Sequence, residues 1–224
     1  MKTYPTTKKT IKLLKKENKS IVRTASNILS SGRHLKGTLL DLGSSKSHLP
    51  SYYRFFNLGK VKKKIFLDIV FKHKPDLIAD AQSLPIKSNS IDSIICFNLI
   101  EHVQNPEEAI SEITRVLRKK GSAYFFTPYL TPLHSQSPKY DMDYSRLSHR
   151  SWEHLAKKYF TRFNIYPVAY GPFTQVVMIL DFLLPMKMKT FLKITTLKID
   201  EWLCKKRPYL KGKFLLGVYV VAIK

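Results

Sequence analysis

Three apolar runs near the start of the chain each end on an aspartate, and this repetition restricts the fold more than any other feature. Residues 38–42 end in Asp41 and Leu42, residues 65–69 contain Asp68 near their end, and residues 77–79 lead directly into Asp80. A fourth run, IDSIICF at 91–97, is apolar almost throughout. A strand buried on both faces reads this way, as in a parallel sheet.

The segment after that run is a well-marked helix. Asn105 caps it, Pro106 occupies the first turn, and Glu107 and Glu108 suit its positive end. Ile110, Ile113 and Leu117 form one face, and Lys119 and Lys120 are expected to close it before Gly121. Residues 123–127 make a fifth strand. Strand, helix, strand at this rhythm predicts an α/β fold with right-handed crossovers. Further on, Ser148 caps a helix carrying Trp152, Leu155 and Tyr159, a strand follows near 163–169, and residues 215–223 read as the last strand.

The expected architecture is a Rossmann-like, mostly parallel sheet with helices on both faces and an antiparallel last strand. Residues 1–35 form a basic helical arm, with Ile11, Leu14, Ile21 and Ile28 set among lysines. Such an arm lies on the domain or on an anionic surface. Residues 36–224 form the main domain, with a helical cap inserted at about 172–210.

The balance of 39 Lys+Arg against 16 Asp+Glu gives +23. This points to partners rather than to fold: nucleic acid, an anionic membrane surface, an acidic acceptor, or simply lysine on every solvated face. Two cysteines, Cys96 and Cys204, make no disulfide framework and favour a cytoplasmic setting. The N-terminal stretch lacks the apolar centre of a signal peptide. The longest apolar run, 176–184, is broken by Asp181 and is too short to span a bilayer. The protein is expected to be soluble or peripheral at the inner face of the membrane. The histidines and cysteines show no metal-ligand spacing, so no metal is expected.

Open α/β sheets bind ligands beyond the carboxyl ends of their strands. Three carboxylates on that rim suit a ligand with a cationic amine, a ribose and an adenine, and they receive phosphate poorly. Asp68 is placed for the ribose hydroxyls, Asp80 for an exocyclic amine with Ala81 as a thin floor, and Asp41 for an ammonium.

At "LLDLGS", "LDIV" and "ADAQSLPIKSNSIDSIICFNLIEHVQNPEEAISEITRVLRKKGSAYFFTPY" the chain resembles the class I S-adenosylmethionine-dependent methyltransferases, type 11 branch, over about residues 36–130. The later "PYLTPLHSQSPKYDMDYSRLSHRSWEHL" and "LLGVYVVAIK" resemble a subgroup associated with surface-glycan biosynthesis. The resemblance implies S-adenosylmethionine as cofactor, with Asp41, Gly43, Ser44 and Ser45 around its methionine end. It assigns Asp68 to the ribose, Asp80 and Ala81 to the adenine, and Cys96, Phe97 and Asn98 to the wall beside the sulfonium. The chain departs from the family at Ser45, where a second glycine is usual. A serine forced into the left-handed region costs on the order of 1–2 kcal/mol, roughly tenfold in affinity.

Methyl transfer needs an aligned acceptor and, for a hydroxyl, a base. The candidates are His134, Tyr144 and Glu101, with His102, Asp141, Asp143 and Arg146 in the same region. The remaining histidines, His48, His73, His149 and His154, read as surface residues. The expected function is methylation of an O or N on a small or lipid-linked, glycan-like anionic acceptor. The competing expectations are an inactive scaffold of the same fold and an RNA methyltransferase. No appended RNA-binding motif supports the latter.

Overall fold

A computed structural model describes residues 7–17, 19–44, 51–130, 143–181, 183–210 and 212–224. Two helices, α1 (Thr7–Glu17) and α2 (Ile21–Ser30), precede the strands β1 (His34–Leu42), β2 (Asn57–Asp68), β3 (Leu77–Ile78) and β4 (Ile91–Phe97). Helix α3 (Pro106–Val116), β5 (Leu117–Pro128), α4 (His149–Tyr159) and β6 (Arg162–Ala169) follow. The pair α5 (Pro172–Leu180) and α6 (Met186–Lys206) then leads to β7 (Leu215–Ile223).

The seven strands form one sheet in the order β3-β2-β1-β4-β5-β7-β6. The first five are mutually parallel, and β7 runs antiparallel to both neighbours. The expected α/β architecture is present, with an antiparallel last strand and helices on both faces.

The period-2 alternation of strand side chains divides the core into two layers. Leu40, Leu42, Ile94, Cys96 and Phe125 pack with Ile110, Ile113, Trp152 and Leu155 of α3 and α4. Leu39, Ile95, Phe97, Tyr124 and Phe126 face the other way, toward Leu14 and Ile21 of the N-terminal helices and Met178 and Leu197 of α5 and α6. Trp152 is fully buried, and its indole N–H donates to the Thr127 hydroxyl at 2.8 Å. That bond satisfies the polar atom of the largest core side chain, as burial requires.

Four boundaries differ from the sequence expectation. The N-terminal arm is two helices, because Ser20 caps the second: its hydroxyl accepts from the Arg23 N–H at 3.2 Å. Helix α3 stops at Val116, so Lys119 and Lys120 lie in β5 rather than at a helix end. Leu117 is fully buried and pairs with Ile91 of β4, so ladder pairing and burial begin the strand before the lysines are reached. Strands β1 and β2 also start earlier than their apolar runs, because ladder pairing extends through the lysine-rich residues 57–64.

No α-helix lies between β2 and β3, only a single 3-10 turn, Phe71–His73. The eight residues available there, 69–76, are too few for a crossover helix.

Candidate functional site

The carboxyl ends of β1, β2 and β4 share one rim, set by the pairing of Asp41 with Phe66 on one side and with Ile95 on the other. A cavity of about 180 Å³ opens there, lined by residues that include Gly43, Asp68, Asp80, Ala81, Leu99 and Tyr144. Six of the residues named from sequence therefore meet in one place: Gly43, Asp68, Asp80, Ala81, His102 and Tyr144.

Gly43 follows β1 in the left-handed region, at φ +74°, and its N–H donates to the Leu67 carbonyl at 2.8 Å. A Cβ added there would stand 3.0 Å from Leu99 Cδ1. Glycine is required by both the turn and the close packing. Gly43→Ala is expected to destabilise the protein by about 1–2 kcal/mol, read as a lowered thermal midpoint. An unchanged midpoint would show that the turn relaxes.

Asp68 is buried at the end of β2. One carboxylate oxygen accepts from the Val70 N–H at 2.8 Å, and the other lies 2.8 Å from Nδ1 of His73. Asp80 accepts from the Gln82 N–H at 2.9 Å and from the Gln82 side-chain amide at 3.1 Å. Each carboxylate oxygen has two lone pairs, so both acids keep acceptor capacity for a ligand. Ala81 is 5% exposed and sits against Leu84 in the core.

Asp41 is oriented differently. Alternation along β1 places it on the face of Leu39, toward the N-terminal helices. The Tyr52 hydroxyl donates to both of its oxygens at 2.9 Å, and the Tyr53 hydroxyl donates to Oδ2. Burial pushes the Asp41 carboxyl up to about 6, against the pull of the two tyrosines. Asp41 and the buried Ser44 lie outside the cavity lining.

Phe97 is tucked edge-on against Tyr52 with ring centroids 5.0 Å apart, and also against Phe126 and Tyr219. Asn98 turns the chain at the rim with φ +52°, its N–H donating to the Phe126 carbonyl at 2.8 Å. Asparagine tolerates that region better than most residues. The Cys96 thiol is fully buried, and burial pushes its pKa up, so it is held neutral. Ser45, His48, His134 and Asp141 lie outside the described residues.

Glu101 sits behind the cavity wall in the 3-10 turn Ile100–His102 and is 1% exposed. Its carbonyl accepts from the N–H groups of Tyr144 at 2.9 Å and Ser145 at 3.2 Å, which fixes Tyr144 on the rim. Neither carboxyl oxygen has a hydrogen-bond partner among the described residues. Burial pushes this carboxyl up to about 8, with Arg146 opposing and Asp143 adding to the shift. Arg146 is engaged by Asp143 through both terminal guanidinium nitrogens, Nη2 at 2.6 Å from Oδ2. Half-exposed Tyr144 receives a long bond of 3.4 Å from the Gln104 amide.

Sequence reasoning missed His73, Gln82, Tyr52 and Tyr53. His73 was read as a surface residue, yet its ring meets Asp68. Its place five residues after Asp68, in a connection too short for a helix, was the available signal. Among the described residues no group of His, Cys, Asp and Glu could hold a metal.

Residues 60–125 match the Methyltransferase domain family. A 74-residue stretch is 42% identical to an uncharacterized protein of Methanocaldococcus jannaschii, covering 30% of this chain and 32% of that protein. The match thus spans about a third of the relative's length. The fold is similar to a chain from the complex between the Haloferax volcanii Trm112 methyltransferase activator and a methyltransferase: TM-score 0.55, 15% identity, covering 95% of this chain and 92% of that chain. It is also similar to a SAM dependent methyltransferase from Archaeoglobus fulgidus, with TM-score 0.53, 12% identity, and coverage of 96% and 94%. At such identities the likeness is one of fold, a Rossmann-like α/β fold shared with these two chains.

Proposed function

We propose that this chain is a class I S-adenosylmethionine-dependent methyltransferase, acting on an O or N of a small or lipid-linked, glycan-like anionic acceptor. The observation that carries this reading is the sign of the cavity. In a chain of net charge +23, the rim cavity is lined by Asp68 and Asp80 and, among the described residues, by no Lys or Arg. A phosphate-bearing ligand would meet two carboxylates with no Lys or Arg among the described lining residues to offset them. A cationic nucleoside meets complementary charge.

The residues fit the cofactor. Asp68 retains acceptor capacity for a vicinal diol, and Asp80 beside Ala81 suits an exocyclic amine over a thin floor. Gly43, after β1 on the far side of Asp68, offers bare backbone to the cavity. When bound, the cofactor would supply a methyl group activated on a sulfonium, and the task left to the chain's own residues would be to hold the nucleoside at Asp68 and Asp80 and to keep the acceptor aligned beside it.

Tyr144 and His102 are the described candidates that line the cavity, with the Glu101 carbonyl holding the Tyr144 backbone in place. His134 remains a candidate base on sequence grounds alone. The structural neighbours that carry methyltransferase names, and the family match, support the reaction class.

S-adenosylhomocysteine tests the reading directly. At about 100 times its dissociation constant it should stabilise the protein by about 2.7 kcal/mol, a clear rise in thermal midpoint. No rise at millimolar ligand would leave a scaffold of the same fold.

A further inference from the structure

Helix α6 is built with its polarity reversed. Its buried stripe is Lys193, Thr196, Leu197 and Asp200, three of which are polar. Its outward stripe carries Met188, Phe191 and Trp202, which are 49%, 69% and 61% exposed. The spacing 188, 191, 195, 198, 202 follows one side of a helix, on which Thr195 and Lys198 stand among the three large apolar side chains.

The buried polar groups have specific partners that hold this orientation. The Asp200 carboxylate accepts from the N–H groups of Phe173 at 3.2 Å and Thr174 at 2.7 Å, capping α5, whose own cap residue is Gly171. Lys193 Nζ meets the Asp181 carboxylate at 2.8 Å. Each buried charge is therefore matched, so the apolar face is turned outward by design of the pairings rather than by default.

Helix α5 and the connection after it continue the pattern, leaving Phe173, Val176, Ile179 and Leu183 exposed. A soluble surface rarely gathers so many large apolar side chains without a partner. The charges around them are basic. Lys198, Lys205, Lys206 and Arg207 are exposed along α6 and its end, and Glu201 is the exposed acid, beside Lys205 at 3.7 Å. Helix α1 packs against α6 and adds exposed Lys8, Lys9, Lys12, Lys15 and Lys16.

We infer that the α5–α6 pair is a docking surface for an anionic phospholipid bilayer, lying in its interface and not crossing it. Aromatic and aliphatic side chains enter the headgroup boundary while surrounding lysines pair with anionic lipid. Each lysine near such a surface contributes on the order of a kcal/mol, so a ring of them is a strong electrostatic match. No helix among the described residues is long and apolar enough to cross a membrane.

The docking surface also stands at the right end of the molecule. The pair leaves the sheet after Ala169 and returns at Leu215, and the register of Val168 and Pro128 with Gly217 puts both joints on the rim where the cavity opens. The inference rests on the exposed face itself and does not require the proposed reaction.

Flotation of the full chain with vesicles tests it, using phosphatidylcholine alone and phosphatidylcholine mixed with phosphatidylglycerol. The protein should float with the anionic vesicles, more weakly in high salt, and stay at the bottom with the neutral ones. The double variant Phe191→Glu/Trp202→Glu should partition at least about tenfold less well, with its thermal midpoint retained because both side chains are exposed. Lys205→Glu/Lys206→Glu should also reduce flotation. Sedimentation of the wild type away from anionic vesicles would overturn the inference, as would equal flotation of the Phe191/Trp202 variant. A wild-type dimer in solution that this variant converts to monomer would show that a second copy covers the face and would also overturn it. A titration with S-adenosylhomocysteine reports separately on the cavity, so failure of one reading is not failure of the other.

Discussion

Replacing Asp68 by asparagine should weaken binding of S-adenosylhomocysteine by about a hundredfold, measured by calorimetric titration. Asparagine keeps the shape of the side chain and one carbonyl oxygen to accept the Val70 N–H now bonded at 2.8 Å. It removes the negative charge and one acceptor oxygen. A hydrogen bond to a charged group contributes roughly 1.5–3 kcal/mol, so losing one such bond and weakening the other gives this magnitude. The thermal midpoint without ligand should move little, which separates a lost binding group from a damaged fold. A dissociation constant unchanged within error would mean that the ribose assignment is wrong, and with it the reading of the rim as a nucleoside site.

Glu101→Gln should remove a large part of the pH dependence of stability. The folded carboxyl titrates near 8 because burial disfavours its charged form, whereas the unfolded value is about 4.5. Between these limits the folded chain holds a proton that the unfolded chain has released. Stability therefore falls as pH rises through that window. The contribution is fully present below the unfolded value and absent above the folded one.

A shift of this size corresponds to on the order of 4 kcal/mol. The glutamine has no proton to lose, so urea denaturation at pH 5 and again at pH 8.5 should show the wild type losing several kcal/mol more than the variant. The groups that tune the site from outside, Arg146 and Asp143, are common to both proteins, as is Asp41 with its own raised pKa. Their contributions cancel in the difference. Parallel pH profiles for wild type and variant would show that water or a neighbouring group already solvates the carboxylate.

The two experiments also address different parts of the site. Asp68 lines the cavity directly, while Glu101 acts through its carbonyl, which holds the Tyr144 backbone at 2.9 Å. Loss of ligand affinity with Asp68→Asn, and its retention with Glu101→Gln, would mark Asp68 as a binding residue and show that the Glu101 carboxyl is not one; the Glu101 carbonyl that holds Tyr144 is common to both proteins.

Much of the sheet was legible because strand and helix signals in this chain are local. The IDSIICF run, the Asn105 cap with Pro106 behind it, and the last apolar run all appear where their chemistry places them. The errors fell where a partner decides. Helix α3 yields to β5 at Leu117 because Ile91 of β4 is there to pair with it, a contact between residues distant in the chain. The N-terminal helix divides at Ser20, a local cap obscured by the continuous lysine pattern around it.

The aspartates show the same division. That three of them would reach one rim could be read from three apolar runs, because a parallel sheet aligns the carboxyl ends of its strands. Where each side chain points could not. Asp41 shares a face with Leu39 and is engaged by Tyr52 and Tyr53, whereas Asp68 and Asp80 line the cavity. The sequence by itself determined the α/β plan, the acidic rim and the basic surface, since these follow from periodicity, spacing and charge. The tertiary structure alone decided which carboxylates stay available, that His73 joins Asp68, and that α6 turns its apolar stripe outward. Those outcomes depend on the parity of a strand and on which distant donor reaches a buried charge, and neither is encoded in any one stretch of residues.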